Sequence, residues 1–304
     1  MKKHLFFAIA LPLAMTLSSC GNNSPKEKKT DTGNAEPAAT EVVETPEPEE
    51  AKEPGFPWNY PEGIKNGNLE EGQYVLSIHS FYPSKLIESE NPANETYIFY
   101  SATLSTVGDT KSSVKYFGDD IEMPNSLIIP IPKEQTAKKG DIVLTWWQSG
   151  SGLQRAIVTD ASNPTMPKVN YLDLSYKDDG TGFANDHANE QLKPNSFVVL
   201  NNGEWQPGAQ IITSSNEAGT LISCTDDKVL VSGFAGKIAV YRRSDCKVIP
   251  SNQNLKAGDE VMAIFTSSYN TGYTVKKVDQ KIGRVWVEKN GDVKVLSLLE
   301  VYKP

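Results

Sequence analysis

The side chains that carry most protein chemistry are scarce in this chain. It holds three cysteines, Cys20, Cys224 and Cys246, and three histidines, His4, His79 and His187, among 304 residues. Histidines spread that widely give no metal-ligand spacing. Ser149-Gly150-Ser151-Gly152 reads as a turn and not as the strand-to-helix elbow of a serine nucleophile. Tyr176-Lys177-Asp178-Asp179-Gly180 has the look of a calcium loop. Aligning Gly180 with the turn glycine puts Ser175 and Lys177 at ligand positions, and a lysine there repels the ion. No phosphate loop occurs. A carboxylate pair for glycoside hydrolysis needs no local motif, and nothing selects one. The residues thus call for no catalytic group, no metal and no cofactor, and the expectation is a binding protein, not an enzyme.

Cys20 is the thiol with the clearest context. Met1-Lys2-Lys3 is a short positive opening, and an apolar run follows from Leu5 to Leu17, broken by Pro12 and Thr16. That run is shorter than the ~20 residues a membrane-spanning helix needs and fits the apolar core of a signal peptide. Leu17-Ser18-Ser19-Cys20 then resembles the lipobox of bacterial lipoproteins. The resemblance implies cleavage after Ser19 and a diacylglyceryl group on the Cys20 sulfur. Two or more acyl chains hold a protein stably on a bilayer, where one chain does not. Signal, box and linker resemble lipoproteins of the Bacteroidota. Asn22 is not the Asp that marks inner-membrane retention, and no acidic surface-export cluster follows the box. The implied location is therefore the outer membrane, facing the periplasm.

The domains follow from composition. Residues 1–19 read as the signal peptide. Residues 20–56 read as the lipidated Cys and a disordered linker, with four lysines against nine acids and much Pro and Ala. Such a segment buries too little apolar surface to offset chain entropy. As a flexible spacer it reaches about 30–35 Å. The whole chain is at −8, and the part beyond the linker stays mildly acidic, which argues against a nucleic-acid partner.

The remainder reads as a duplication. Ile128-Ile129-Pro130 matches Val248-Ile249-Pro250, and Gly140-Asp141-Ile142-Val143 matches Gly258-Asp259-Glu260-Val261. Tyr74-Val75-Leu76 is matched with Val198-Val199-Leu200, and Val169–Lys177 with Val295–Lys303. The expected division is a first β-rich unit at 57–177, a connector at 178–194 and a second unit at 195–304. Short β-branched and aromatic runs between turn residues fill both units, and Asn290-Gly291 is a strong hairpin signal. No sustained helical periodicity appears. The fold class is all-β, with two small barrels per unit. Cys224 and Cys246 lie in strand-like sequence, in a compartment that permits disulfides. They form either one bridge or two separate thiols.

The second half of each unit resembles Tudor and related SH3-like barrels. Gly140-Asp141-Ile142-Val143-Leu144-Thr145-Trp146-Trp147 and Gly258-Asp259-Glu260-Val261-Met262-Ala263-Ile264-Phe265 both follow the opening pattern of that group. Arg155-Ala156-Ile157-Val158 falls where its second strand is expected. The resemblance places candidate ligand-binding aromatics at Trp147 and Tyr171 in the first unit, and at Phe265, Tyr273 and Trp286 in the second. Gln154, Leu174 and Lys289 stand where other cage aromatics would be, so the implied aromatic cages are incomplete. Each aromatic is then either a ligand contact or packing between barrels. The functional expectation is a lipid-anchored binding or scaffolding protein of the cell envelope that recognises a protein or peptide. The alternatives are peptidoglycan binding and, more remotely, hydrolysis of envelope glycan or peptide.

Overall fold

A computed structural model of the chain describes residues 59–79, 92–150, 152–177, 179, 181–182 and 189–304. The signal peptide, Cys20, the linker and part of the expected connector (178, 180 and 183–188) lie outside the described residues.

Strands β1 (Tyr74–Ile78), β2 (Phe99–Thr106), β3 (Lys111–Tyr116), β4 (Asp119–Pro124) and β5 (Ile128–Pro130) form a first sheet in the order β4-β3-β2-β1-β5. A second joins β6 (Ile142–Trp146), β7 (Leu153–Asp160), β8 (Lys168–Tyr171), β9 (Asn189–Gln191) and β10 (Val198–Val199), ordered β10-β6-β7-β8-β9. The third holds β11 (Gln210–Thr213), β12 (Ala218–Cys224), β13 (Lys228–Ser232), β14 (Ile238–Arg242) and β15 (Cys246–Val248), and the fourth β16 (Glu260–Phe265), β17 (Ser268–Asp279), β18 (Arg284–Lys289), β19 (Asp292–Ser297) and β20 (Val301–Tyr302). Their orders are β14-β13-β12-β11-β15 and β19-β18-β17-β16-β20. All four repeat one plan: four strands meander antiparallel, and the fifth returns beside the first. The protein is all-β, as its alternating sequence implies. In the first, third and fourth sheets a 3-10 turn leads into the fifth strand, at Asn125–Leu127, Arg243–Asp245 and Leu298–Glu300.

Every sheet is entered through the same glycine turn. Gly72, Gly140, Gly208 and Gly258 all take left-handed φ, between 76° and 92°, a conformation that only glycine adopts without strain. The N–H of each donates across to the second strand of its sheet at 2.8 Å, to the carbonyls of Leu104, Val158, Leu221 and Val275. In the second and fourth sheets the next residue is Asp, and its carboxylate accepts the N–H of Lys138 or Lys256 at 2.7 and 2.8 Å. The recognisable Gly-Asp pair is thus the tightened form of a turn used four times.

Three expectations need correction. Val198-Val199 is the fifth strand of the second sheet, paired with Leu144 and Val143, and the counterpart of β1 is β11. Val169–Lys177 begins inside a third strand, whereas Val295–Lys303 spans the end of a fourth and all of a fifth. Short apolar runs look alike whatever their place in a sheet, so sequence matching slipped between them. The division at 178–194 also fails for sheet pairing: β9 falls inside it and pairs with β8, and β10 lies beyond it. β9 is polar and short, and gives no apolar signal.

The four sheets share one apolar interior, running from Tyr60 and Leu76 through Trp146 and Ile222 to Val287 and Val301. Two buried arginines cross it. The Arg155 guanidinium donates to Asp173 at 3.0–3.1 Å and to the Gln210 side chain at 2.7 Å, joining the second sheet to the third. Arg284, 1% exposed, donates to the carbonyls of Tyr171 and Leu174 at 2.6 and 2.9 Å and ties the fourth sheet to the second.

The Asn290-Gly291 signal holds. Both residues take left-handed φ, 56° and 90°, between β18 and β19. A Cβ on Gly291 would meet nothing within 4 Å, so Gly291→Ala pays only for the backbone, about 1 kcal/mol. A urea melt of this variant is expected to show that loss, with the native fluorescence unchanged.

Candidate functional site

The aromatics singled out from the sequence occupy two kinds of place. Tyr171 is fully buried, and its hydroxyl donates to Glu190 at 2.6 Å. Burial first, and Glu190 second, push its pKa well above the ordinary tyrosine value. Trp147 is half-buried and packs on the same cluster as Tyr171. In the fourth sheet Tyr273 is 6% exposed. Tyr171 and Tyr273 are therefore core residues and not ligand contacts, because the inward face of a strand takes its large side chains. The remaining rings of the fourth sheet each carry a lysine beside one face, and Phe265 is still 55% exposed. Lys277 lies 4.3 Å over Trp286, and Lys294 lies 4.6 Å over Phe265. Lys289 stands 5.0 Å from the ring of Tyr273. Cation–π attraction thus sets a lysine of the same sheet against each of these rings.

The two remaining cysteines are free thiols. Cys224 is on β12 and Cys246 on β15, and β11 lies between those strands, so the possible bridge is not formed. Burial raises both thiol pKa values, that of Cys246 to about 11. Neither is a thiolate at neutral pH, and both are poor nucleophiles.

The feature that sequence reading missed lies on the first sheet. Tyr116 ends β3, and the chain turns through Phe117 and Gly118 into β4. Phe117 has φ 46° and is completely exposed. A bulky residue in the left-handed region costs about 1–2 kcal/mol, and leaving its ring in water forfeits its burial energy as well. Neither cost is recovered by packing in the fold. The ring stands at a cavity of about 420 Å³ whose wall includes Tyr74, His79, Tyr100 and Lys115. Strand pairing puts Tyr74 and Lys115 on one face of the sheet, both beside Thr103, and Tyr100 on the other, beside Ser77; Gly150 of the second sheet also lines the cavity.

The floor is rigid. The Tyr116 hydroxyl is held by the Ser77 hydroxyl and by the Ile78 carbonyl at 2.8 Å. Burial raises its pKa far above the usual value, so it stays protonated. The His79 ring lies 5.2 Å from Tyr100, edge to face, and 5.5 Å from Tyr116. Tyr74, 38% exposed, leans on Trp146 of the second sheet at 5.1 Å. Lys115 is exposed and makes no ion pair among the described residues. Among the described residues the wall holds no carboxylate. The arrangement offers ring faces, hydroxyls and one ammonium group, which suits binding. The available signal was Phe117 itself, an aromatic directly before Gly118-Asp119, where a hairpin turn wants small or polar residues.

A scan of protein-family models and a search of curated proteins both found nothing that matches this chain.

Proposed function

We propose that this protein is a non-enzymatic binding or scaffolding lipoprotein of the cell envelope. It is held by acyl chains on Cys20 to the outer membrane, facing the periplasm, and it recognises a protein or peptide in the aromatic groove of its first sheet. Phe117 carries this reading: its ring is fully exposed on a left-handed turn residue, a costly conformation of the kind that gathers at functional sites. The fifth strand beside the first, with a 3-10 turn before it, supports the likeness to SH3-like modules, which place ligands on barrel faces. Among the described residues no helix is long and apolar enough to cross a membrane.

Phe117→Ala is expected to weaken capture of the partner from envelope extracts by about tenfold or more, the effect of removing a central aromatic anchor. The melting temperature should not fall, because the ring makes no buried contact. Unchanged capture by this variant would reject the groove as the binding site. Retention on purified sacculi in place of a protein partner would transfer the reading to peptidoglycan.

A further inference from the structure

The hairpin that carries Phe117 has a counterpart. In the third sheet, the turn between the third and fourth strands, β13 and β14, carries Phe234, which is 58% exposed. Left-handed φ follows at Ala235 and Gly236, 56° and 70°. Phe234 stands at a cavity of about 410 Å³ with Tyr241, Lys237, Ala218 and Gly219 in its wall. In both sheets the groove lies where the end of the third strand passes the start of the second.

The charges agree in one lysine and differ in one carboxylate. Lys237 is exposed and, like Lys115, makes no ion pair among the described residues. The one carboxylate of the second groove, Glu217, accepts hydrogen bonds from the hydroxyls of Tyr241 at 3.2 Å and Ser215 at 3.3 Å. Each groove thus offers an exposed phenylalanine, a tyrosine and one unengaged ammonium, within a chain of net charge −8.

We infer that the third sheet holds a second copy of the first sheet's site, and that each copy takes an apolar side chain next to a carboxylate. One molecule would then hold two copies of one acidic, apolar peptide motif. This rests on the binding role proposed above for the Phe117 groove. Two sites on one chain raise avidity for a repeated or dimeric partner far above that of either site.

Titration of the full-length, isotope-labelled protein with N-acetyl-L-phenylalanine, and separately with its uncharged amide, tests this by NMR. The acid is expected to shift the backbone amides of Phe117–Gly118 and of Phe234–Gly236. It should bind at both places about fivefold more tightly than the amide at low salt, the strength of one exposed ion pair, and the difference should fade as salt is added. Phe117→Ala should abolish the first set of shifts alone, and Phe234→Ala the second alone. Shifts confined to the Phe117 turn would overturn the second copy and leave the first groove standing. Equal affinity for acid and amide would overturn the carboxylate preference. Absence of shifts at both turns would overturn this inference and the proposed groove together.

Discussion

Asp173→Ala is expected to destabilise the fold by about 3 kcal/mol, the lower end of the cost of stripping one partner from a buried ion pair. The lower end applies because the Asp173 side chain is 22% exposed and water can partly replace it. Arg155 is 7% exposed on its side chain and sits where the second sheet meets the third. Burial works against its charge, and Asp173 more than offsets that, so its pKa stands above the ordinary value. Without Asp173 the charge stays buried and Gln210 is its main remaining partner. Urea unfolding should show a lowered midpoint. Arg155→Met combined with Asp173→Ala should recover part of the loss, since it removes the charge as well as its partner. Arg284 differs, because burial pulls its pKa down despite Glu300 and Asp173. Its replacement by Met is expected to cost less than Asp173→Ala. A double variant no more stable than Asp173→Ala alone would contradict this reading of the junction.

Cys20→Ser is expected to move nearly all of the protein from the membrane fraction to the soluble fraction. The expectation follows from the proposed anchor. Each buried methylene contributes about 0.8 kcal/mol, so the acyl chains together outweigh the other attractions available. The chain's acidity gives no pull toward anionic lipid, so nothing electrostatic would retain the variant. Fractionation at high salt separates the cases: persistent membrane association of Cys20→Ser would point to a second anchor.

Some of this architecture was plain in the residues, and some was not, for identifiable reasons. Asn290-Gly291 announced its hairpin because the backbone there demands left-handed φ. The entry turns before β6 and β16 were legible through Gly-Asp. The matching turns before β1 and β11 were not, because Gln73 and Ala209 stand where the aspartates do, although the glycine N–H bonds in the same way. A turn set by backbone alone leaves only its glycine in the sequence. β10 was assigned to the wrong unit because two valines carry no mark of which strand they pair with. The cage aromatics were legible as aromatics. Their capping by Lys277, Lys289 and Lys294 was not, because it depends on neighbouring strands and on the reach of long side chains. Phe117 is the opposite case: local sequence rules disfavour it at a turn, and that conflict is a signal on which the proposed function rests.

If the Phe117 groove binds a protein partner in the envelope, a reactive group at that position will capture it. Placing the photoreactive residue p-benzoylphenylalanine at position 117 of the full chain in living cells, and identifying the adducts by mass spectrometry, tests it most directly. One reproducible envelope protein, absent when the probe sits at the exposed turn residue Asn290 instead, is the predicted result. Muropeptide adducts, or the same abundant neighbours from both positions, would contradict it.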